Sequence, residues 1–579
     1  MALDDRISKS IHKYAVKNAY DYGKARVESV LSKVLSLIPE AKSDMKALRK
    51  MVEEAVNKVN QMDSDWVKRE YEAYEKEFAE EKAEKDENSK TKFVLDGAIV
   101  GDFSTRFPPE PSGYLHIGHA KVGFLEQTFA DIYKGKLNLY FDDTNPEKEK
   151  QEYVDAIKED LDWLGIRFDS EYYASDSIPK IYGYAKTLIL ENKAYACNCV
   201  HETIEKNRFN GIECEHRNAS PETNAQKFDD MLEGKYDENE IIIRFRGDMK
   251  ANNTTLRDPT LLRVKRALHY RQNDKYIVWP TYHFNTPIMD SLHGITDVIR
   301  DKNYELSNAL YYGILEAVGL KAPRMHLEAR LNIKDNITSK RTVQKLVKEG
   351  RLLGYDDPRL VTLSALRSRG IMPKAIKNFV LRFGMSEVNS TVDISLLLAE
   401  NKKEVDNTAK RLSYVDNPIE VMIDNLASFG AKSINVPLHP SNAELGQKTM
   451  ELSDSIYIRA DDYEVLKENG GLILKGFAML KPSSNGAEAH AVMDRDIDKR
   501  YQAVQWAPAR SAIKTRVLMP LPPLKEDGEF DSNSLGLSEG YAEAYAESLK
   551  DGEVIQFERF GFCSKHSDEK GVYFIFLSK

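Results

Sequence analysis

The N-terminal part of the chain carries hydrophobic residues at helical spacing. The positions that share one face are Ile7, Ile11, Tyr14, Ala15, Val27, Val30, Leu31, Val34 and Ile38. A run rich in Glu and Lys follows from Trp66 to Lys92. It is typical of a solvated, salt-bridged helix with a linker at 86–89, and a docking arm for a protein partner is the alternative. Residues 1–92 are therefore predicted to form a helical extension and a charged linker.

Short apolar runs then alternate with amphipathic helical patterns. A strand is predicted at 103–107 with a helix from Ile117, and a second strand at 137–141 with a helix from Glu147. Asn145 would cap that second helix and Pro146 would occupy its first turn. Alternating strands and helices predict a parallel α/β sheet, which begins in residues 93–192 and resumes in residues 276–345.

The remaining segments have different textures. Residues 193–275 read as an insertion with mixed strands, and residues 346–415 as helices with Lys- and Arg-rich faces. Residues 416–579 contain short strands separated by turn residues, which predicts an all-β region, most simply barrels. The clearest predicted strands there are 455–459, 471–475, 554–559 and 571–576.

Composition and charge narrow the class of protein. The chain of 579 residues is 41% hydrophobic and 30% charged, which is a globular balance without an apolar run of the ~18 residues that a membrane span needs. The acidic N-terminus lacks a secretory signal, and four cysteines are too few to staple the fold, so a cytoplasmic protein is expected. The net charge of -9 excludes a uniformly basic surface, yet residues 340–377 hold ten Lys and Arg against three acids. Such a local basic region suits nucleic acid.

Two sets of residues carry candidate chemistry. The segment from Arg106 to His119 joins a strand to a helix, and His116, Gly118 and His119 lie where helix N–H groups favour a phosphate. Within the insertion, three of the four cysteines and one histidine lie close together in the sequence, which suits tetrahedral structural zinc, with buried free thiols as the alternative. These residues are Cys197, Cys199, Cys214 and His216. Cys563 stands apart and is predicted to be a strand residue.

Several segments, in order along the chain, resemble the glutamyl- and glutaminyl-tRNA synthetase family of class I. The 106–119 segment resembles its HIGH motif, 141–146 its FDDTNP motif, and 338–341 its KMSKS-type loop in an SKR form. Pro280-Thr281-Tyr282 with the Asp-Ser and Gly-Ile-Thr that follow, and the Asp-Asp-Pro-Arg-Leu at 356–360, also resemble family blocks. The β-rich tail and the N-terminal helices resemble the archaeal and eukaryotic branch.

The resemblance implies a fold and a reaction. It implies a Rossmann-type catalytic domain, an inserted acceptor-end-binding domain, helices that contact the tRNA stem, and anticodon-binding barrels. It also implies ATP with Mg²⁺, L-glutamate and tRNA(Glu) as substrates, and leaves open whether tRNA(Gln) is charged. The implied catalytic residues are His116, His119 and Lys340, with Gly118, Ser339 and Arg341 as further ATP contacts. The implied glutamate contacts are Arg106, Asp142, Tyr282 and Arg300, with Asp143 as an alternative to Asp142.

The sequence departs from the family pattern at one place and leaves competing functions open. Tyr140 stands where the family usually has an Arg, just before FDDTNP. A glutaminyl-tRNA synthetase is the nearest competitor, but Arg300 favours glutamate because its charge would be left without a partner by glutamine. A non-catalytic tRNA-binding paralogue and a HIGH-type nucleotidyltransferase acting on a small molecule are weaker alternatives. The ATP motifs disfavour the first, and the basic region and β tail disfavour the second.

Overall fold

A computed structural model describes residues 3–38, 40–41, 45–78, 93–430, 432–483 and 489–579. The chain divides into two compact units, residues 1–94 and 95–579.

The N-terminal unit is helical, as the hydrophobic spacing predicts. Its helices are α1 (Leu3–Tyr22), α2 (Val27–Leu37), α3 (Met45–Asn60) and α4 (Ser64–Ala73). Ile11, Ala15, Val30 and Val34 from the predicted face are buried in one core with apolar residues of α3. The predicted linker at 86–89 lies outside the described residues.

The second unit begins with a parallel sheet, which confirms the predicted strand–helix alternation. The elements are β1 (Ser104–Phe107), α5 (Ile117–Ile132), β2 (Lys136–Phe141), α6 (Gln151–Leu164), β3 (Ser170–Tyr173) and α7 (Ile178–Leu190). Strand β2 pairs in parallel with β1 on one side and β3 on the other. The central strand β2 is buried on both faces after its first residue, as in a parallel sheet covered on both sides.

The prediction that a helix starts at Glu147 is wrong, because α6 begins only at Gln151. Asn145 and Pro146 form a turn instead, in which the Lys148 N–H donates to the Asn145 carbonyl and the Glu149 carboxylate accepts from the Asn145 N–H. The Lys150 N–H donates to Pro111 O, a contact across the chain. A tertiary hydrogen bond therefore holds this segment out of the helix that its local residues favour.

The insertion forms its own antiparallel sheet. Its elements are β4 (Ala194–Cys197), α8 (His201–Asn210), α9 (Pro221–Leu232), β5 (Ile242–Phe245), β6 (Thr260–Val264) and β7 (Val278–Pro280), with strand order β4-β5-β6-β7. Since β7 ends at Pro280, this sheet extends a few residues past the predicted limit at 275.

The parallel sheet then resumes. The elements are α10 (Tyr282–Leu292), β8 (Asp297–Asp301), α11 (Asn308–Val318), β9 (Arg324–Glu328), β10 (Leu331–Ile333) and α12 (Lys340–Lys348). Strand β8 pairs in parallel with β9 and lies beside β1, where Thr296 N donates to Ser104 O at 2.9 Å. The resulting order β3-β2-β1-β8-β9 is that of a Rossmann sheet, whose ligands bind outside the carboxyl ends of the strands near the point where the order reverses.

The helical region that follows carries fewer free cations than its sequence suggests. Its elements are α13 (Leu363–Ser368), α14 (Pro373–Leu381), β11 (Ser390–Val392) and α15 (Ser395–Val405). Of the ten cations in 340–377, those that pair with acids are Lys345, Arg351, Arg359, Arg367 and Lys374. Arg369 is buried and donates to carbonyls of the C-terminal strand. The basic surface of this region therefore consists of individual cations between ion pairs and is not one continuous positive patch.

The C-terminal region is built mainly of strands, as predicted, and Ser455–Arg459 is one of them. Its elements are β12 (Lys410–Leu412), β13 (Tyr414–Asp416), β14 (Pro418–Ile423), α16 (Leu426–Phe429), β15 (Ser433–Pro437), β16 (Gln447–Glu451), β17 (Ser455–Arg459), α17 (Ala460–Asn469), β18 (Leu472–Leu474), β19 (Ala478–Pro482), β20 (His490–Asp494), β21 (Ala503–Val504), β22 (Ala507–Pro508), β23 (Ile513–Pro520), β24 (Leu535–Ala542), β25 (Val554–Phe557), β26 (Gly561–Asp568) and β27 (Gly571–Ser578). Cys563 lies buried in β26, which confirms its prediction as a strand residue.

Fourteen of these strands form two seven-stranded sheets, and β15 pairs with β16 in a separate two-stranded sheet. In each large sheet the two edge strands are neighbours in the chain. One sheet runs β12-β25-β26-β27-β23-β24-β13, and its two edge strands are separated in the chain by Ser413 alone. The other runs β21-β18-β19-β20-β14-β17-β22, and its edge strands are separated by two residues. Because each pair of edges is one continuous stretch of chain, each sheet curls into a barrel, which also removes its exposed edges. Across the described ranges, no helix has the length and apolar character to cross a membrane.

Candidate active site

The two motif histidines cap helix α5 reciprocally. His116 Nδ1 accepts from the Gly118 N–H at 3.0 Å, and His119 Nδ1 accepts from the His116 N–H at 3.1 Å. This is a capping box in which imidazoles take the places usually held by a hydroxyl and a carboxylate. A Cβ at Gly118 would lie 2.8 Å from His116 Cε1, so the glycine is required for the His116 ring to fold over the helix end.

The caps also fix the charge and tautomer of both rings. Burial lowers the pKa of His116 to about 4 and that of His119 well below its ordinary value. Both imidazoles are therefore neutral near pH 7. Because each Nδ1 accepts a hydrogen bond, each ring carries its proton on Nε2 and offers that N–H as a donor.

Lys340 and the two histidines line one cavity of about 280 Å³. Lys340 is the first residue of α12, and its chain lies across Gly113, where a Cβ would be 2.8 Å from Lys340 Cδ and Cε. Burial lowers the pKa of Lys340, although Glu110 opposes this shift. Among the described residues no acid forms an ion pair with the Lys340 ammonium, which leaves it available to an anion in the cavity.

Two further predicted ATP contacts, Ser339 and Arg341, lie at the start of α12. The Ser339 side chain caps the helix through the Thr342 N–H at 3.4 Å. Arg341 lines a separate surface depression with Lys345 and Lys348. The structure thus brings His116, His119 and Lys340 together around the cavity and leaves Ser339 and Arg341 outside its lining.

Asp142 follows directly on β2, at the carboxyl end of the strand. Its Oδ1 accepts from Asn285 Nδ2 at 2.9 Å, and the same amide donates to the Tyr140 hydroxyl at 2.5 Å. Burial, reinforced by Glu149 and Glu110, raises the pKa of Asp142 to about 8. With that pKa the Asp142 carboxyl is largely protonated near pH 7, and no Lys or Arg of the described residues pairs with it, so a cationic ligand would favour its ionised form. Tyr140, which replaces the usual family Arg, is thus joined to this carboxylate through Asn285.

The neighbouring Asp143 is committed to structural contacts. Its oxygens accept from the Ser175 N–H at 2.8 Å, the Ser175 hydroxyl at 2.7 Å and the Tyr270 hydroxyl at 3.0 Å. It is fully buried, whereas Asp142 is partly exposed. Of the two adjacent carboxylates, Asp142 is the one with capacity for a ligand.

Arg300 lies near the carboxyl end of β8 and is only 7% exposed. Its Nη1 donates to Asn308 Oδ1 and its Nη2 to the Tyr282 hydroxyl, each at 3.1 Å, while Nε is buried without a hydrogen bond. The nearby acids are engaged by other cations: Asp297 by Arg324 and His326, and Asp301 by Arg330. Within the described chain, Arg300 therefore keeps a buried positive charge without a carboxylate partner.

Arg106 has a different environment from Arg300. Its Nε and Nη2 donate to Asp290 at 2.7 and 3.3 Å, and its Nη1 lies 3.4 Å from Ile299 O. The Asp290 carboxylate outweighs burial and raises the pKa of Arg106. All three of its guanidinium nitrogens thus donate hydrogen bonds within the protein, and its predicted contact with glutamate stays a prediction.

The predicted metal ligands converge in the insertion. Cys214 Sγ lies 3.6 Å from Cys197 Sγ and 3.4 Å from Cys199 Sγ, and His216 Nδ1 lies 3.2 to 4.0 Å from the three sulfurs. Tetrahedral zinc with bonds of about 2.3 Å to sulfur would need spacings close to these. Arg244 Nη1 approaches Cys197 Sγ at 3.9 Å, a contact that suits a thiolate. The four side chains therefore fit a structural zinc ion.

Sequence reasoning missed three residues that shape these sites: Gly113, Asn285 and Asn308. Gly113 stands inside the HIGH-like segment, and Asn285 lies three residues after Tyr282, on the same helix. Both could be suspected from neighbouring motifs. The contact of Asn308 with Arg300 depends on how β8 and α11 pack, so the local sequence does not predict it.

Comparison with known proteins agrees with this geometry. Residues 102–407 match the family model described as tRNA synthetases class I (E and Q), catalytic domain. Residues 409–494 and 503–566 match two models described as tRNA synthetases class I (E and Q), anti-codon binding domain. The relatives include a Glutamate--tRNA ligase of Nitrosopumilus maritimus, 38% identical, covering 99% of this chain and 100% of the relative. Another, from Pyrococcus furiosus, is 35% identical and covers 96% of each chain.

The architecture is that of a class I aminoacyl-tRNA synthetase. It combines a Rossmann sheet, a first helix capped by histidines, a lysine at the same cavity and two C-terminal barrels. On the family matches and the near full-length relatives, the chain belongs to the class I (E and Q) tRNA synthetases.

Proposed function

We propose that this chain is a glutamate–tRNA ligase that forms glutamyl-adenylate from L-glutamate and ATP and transfers the glutamyl group to tRNA(Glu). The observation that carries the proposal is a pair of ionisable groups without counter-charges at the carboxyl ends of β2 and β8: among the described residues no cation pairs with the Asp142 carboxyl, and no acid pairs with the Arg300 guanidinium. Glutamate supplies an ammonium for the first and a side-chain carboxylate for the second. Glutamine has no charge for Arg300.

The chemistry needs positioning more than a protein nucleophile. An oxygen of the glutamate α-carboxylate attacks the α-phosphorus of ATP, and the bond to the pyrophosphate oxygen breaks. A ribose hydroxyl at the tRNA 3′ end then attacks the acyl carbon, AMP leaves, and the hydroxyl proton is released. His116 and His119 offer neutral Nε2–H donors to the phosphates, and Lys340 offers a cation where charge builds on the leaving pyrophosphate. Mg²⁺ bound to the nucleotide would neutralise further phosphate charge.

The remaining assignments follow from the same proposal. Ser339 and Arg341 lie outside the cavity lining and would reach ATP by a movement of α12 toward the cavity. Gly118 would act indirectly, because it lets the His116 ring fold over the helix end. Tyr282 would help Arg300 to hold the side-chain carboxylate, and burial raises the pKa of its hydroxyl to about 12, so it stays a neutral donor. The insertion would meet the acceptor end, the separate cations of 340–377 the stem, and the barrels the anticodon. The enzyme would act in the cytoplasm.

The direct test is aminoacylation of total tRNA with each amino acid in turn. We expect efficient charging with glutamate and a far lower kcat/KM with glutamine. Purified tRNA(Glu) and tRNA(Gln) then separate an enzyme that charges one tRNA from one that charges both. Charging with glutamine alone would identify a glutaminyl-tRNA synthetase, and charging with neither would leave a tRNA-binding paralogue.

The Cys/His cluster leads to a prediction about metal content. Protein purified without chelator is expected to contain one zinc per chain by elemental analysis, because its four side chains have tetrahedral spacing. Cys214→Ser should lose the metal. It should raise the KM for tRNA more than it changes the KM for ATP. Cys563→Ser is the matched control, since this buried thiol lies in β26, outside the cluster, and should leave zinc unchanged. Less than about a tenth of an equivalent in the wild type would contradict the site.

A further inference from the structure

The hydrogen-bond acceptors that orient the Arg300 guanidinium within the protein are all neutral, and one of them is the side chain of Asn308. Asn308 is the first residue of α11, and its Oδ1 accepts from Arg300 Nη1 at 3.1 Å. The Tyr282 hydroxyl accepts from Nη2 on the other branch. The rings of Tyr304 and Tyr311 lie 4.9 and 5.7 Å from the guanidinium carbon. The guanidinium is thus oriented by an amide, a phenol and aromatic faces.

The fold itself gives a reason to expect an acid at position 308. Aspartate has the shape of asparagine, acids are favoured in the first turn of a helix, and a carboxylate there would pair with a buried arginine. Leaving a buried guanidinium without a counter-charge is costly for the free protein. The neutral amide gives up that stabilisation and keeps the full charge of Arg300 available to a ligand.

We propose that Asn308 is a specificity-determining positioning residue, which orients Arg300 without neutralising it and so reserves the guanidinium for the side-chain carboxylate of glutamate. This inference rests on the proposed function. It assigns the choice between glutamate and glutamine to two residues: Arg300, which carries the positive charge, and Asn308, which has to be neutral.

The test changes the charge at position 308 and leaves the shape of the side chain almost unchanged. In the full-length protein, Asn308→Asp places a carboxylate against Arg300 with almost no change of shape. We expect kcat/KM for glutamate to fall about ten- to a hundredfold, the range of a hydrogen bond between charged groups, mainly through KM. We expect kcat/KM for glutamine to stay level or rise, because the paired site no longer opposes a neutral side chain.

Two further variants separate charge from mere structure. Asn303→Asp adds the same charge at an exposed position nearby and should leave both kcat/KM values within about twofold of the wild type. Asn308→Ala removes the orienting acceptor without adding charge, so it should raise the KM for glutamate and shift the glutamate-to-glutamine ratio less than the aspartate does. The melting temperature and the KM for ATP report whether the fold is intact.

The outcomes distinguish this inference from the function on which it depends. If the wild type charges with glutamate and Arg300→Ala loses that preference, but Asn308→Asp keeps the wild-type ratio, the role of Asn308 is overturned. An equal loss for both amino acids in Asn308→Asp also overturns it, because a merely structural residue would act that way. If the wild type does not charge with glutamate, the proposed function has failed first.

Discussion

Lys340→Ala is expected to lower ATP–pyrophosphate exchange by about 10²–10³-fold, the usual cost of removing one group that stabilises charge in a transition state. Lys340 shares a cavity with His116 and His119, and none of the described acids pairs with it. The exchange is measured with tRNA present, because enzymes of this family generally need tRNA for activation. Equilibrium binding of tRNA should change little, since one cation among many is lost.

The matched control for this prediction is Lys348→Ala. Lys348 lies on the same helix but lines the separate surface depression with Arg341. We expect its exchange rate to stay within about twofold of the wild type. Exchange near the wild-type rate in Lys340→Ala would contradict the assignment of Lys340 to the leaving pyrophosphate, and an equal loss in both variants would point to a general effect on α12.

The parallel sheet could be predicted from the sequence because its signals are local. Strand β2 is a hydrophobic run between turn residues, and α5 begins at Ile117, as its helical pattern predicts. The start of α6 could not be predicted, since a hydrogen bond from Lys150 to Pro111 overrides the favourable cap at Asn145. Barrel closure also depends on distant pairings, such as β12 with β25 and β13 with β24.

The candidate site shows the same division. The order of the motifs predicted that His116, His119 and Lys340 belong to one site, and in the structure these three residues line one cavity. Sequence alone could not separate Asp142 from Asp143, because consecutive residues of an extended chain point in opposite directions and either side could have faced the ligand. The contacts of Asp143 with Ser175 and Tyr270 favour Asp142 as the glutamate contact, which stays a prediction.

The family departure at Tyr140 has a structural consequence that no sequence pattern supplies. The phenol is fully buried, stacks on Tyr172 with ring centroids 5.1 Å apart, and accepts from the amide that also holds Asp142. A charged side chain at this position is thus replaced by a neutral one that remains in the hydrogen-bond network of Asp142. Tyr140 therefore supplies no cation to Asp142, and the ionised form of Asp142 depends on a cationic ligand.

Arg300→Ala is expected to lower kcat/KM for glutamate by about a hundredfold or more and for glutamine by less than about tenfold. The guanidinium offers charge-assisted hydrogen bonds to a carboxylate, and glutamine can use only part of that capacity. The wild-type charge also opposes glutamine, since a neutral amide would leave it buried and unpaired. Steady-state aminoacylation with each amino acid at saturating ATP and tRNA gives both values.

Lys302→Ala is the matched control, because this cation stands two residues beyond Arg300 and pairs with Glu387 at the surface. It should leave the ratio of the two kcat/KM values unchanged. If Arg300→Ala lowers kcat/KM for both amino acids equally, or if the wild type charges tRNA with both equally well, Arg300 is not the discriminator. A selective loss for glutamate would instead tie substrate choice to one buried charge, because the two amino acids are nearly isosteric and differ at the atoms that Arg300 would contact.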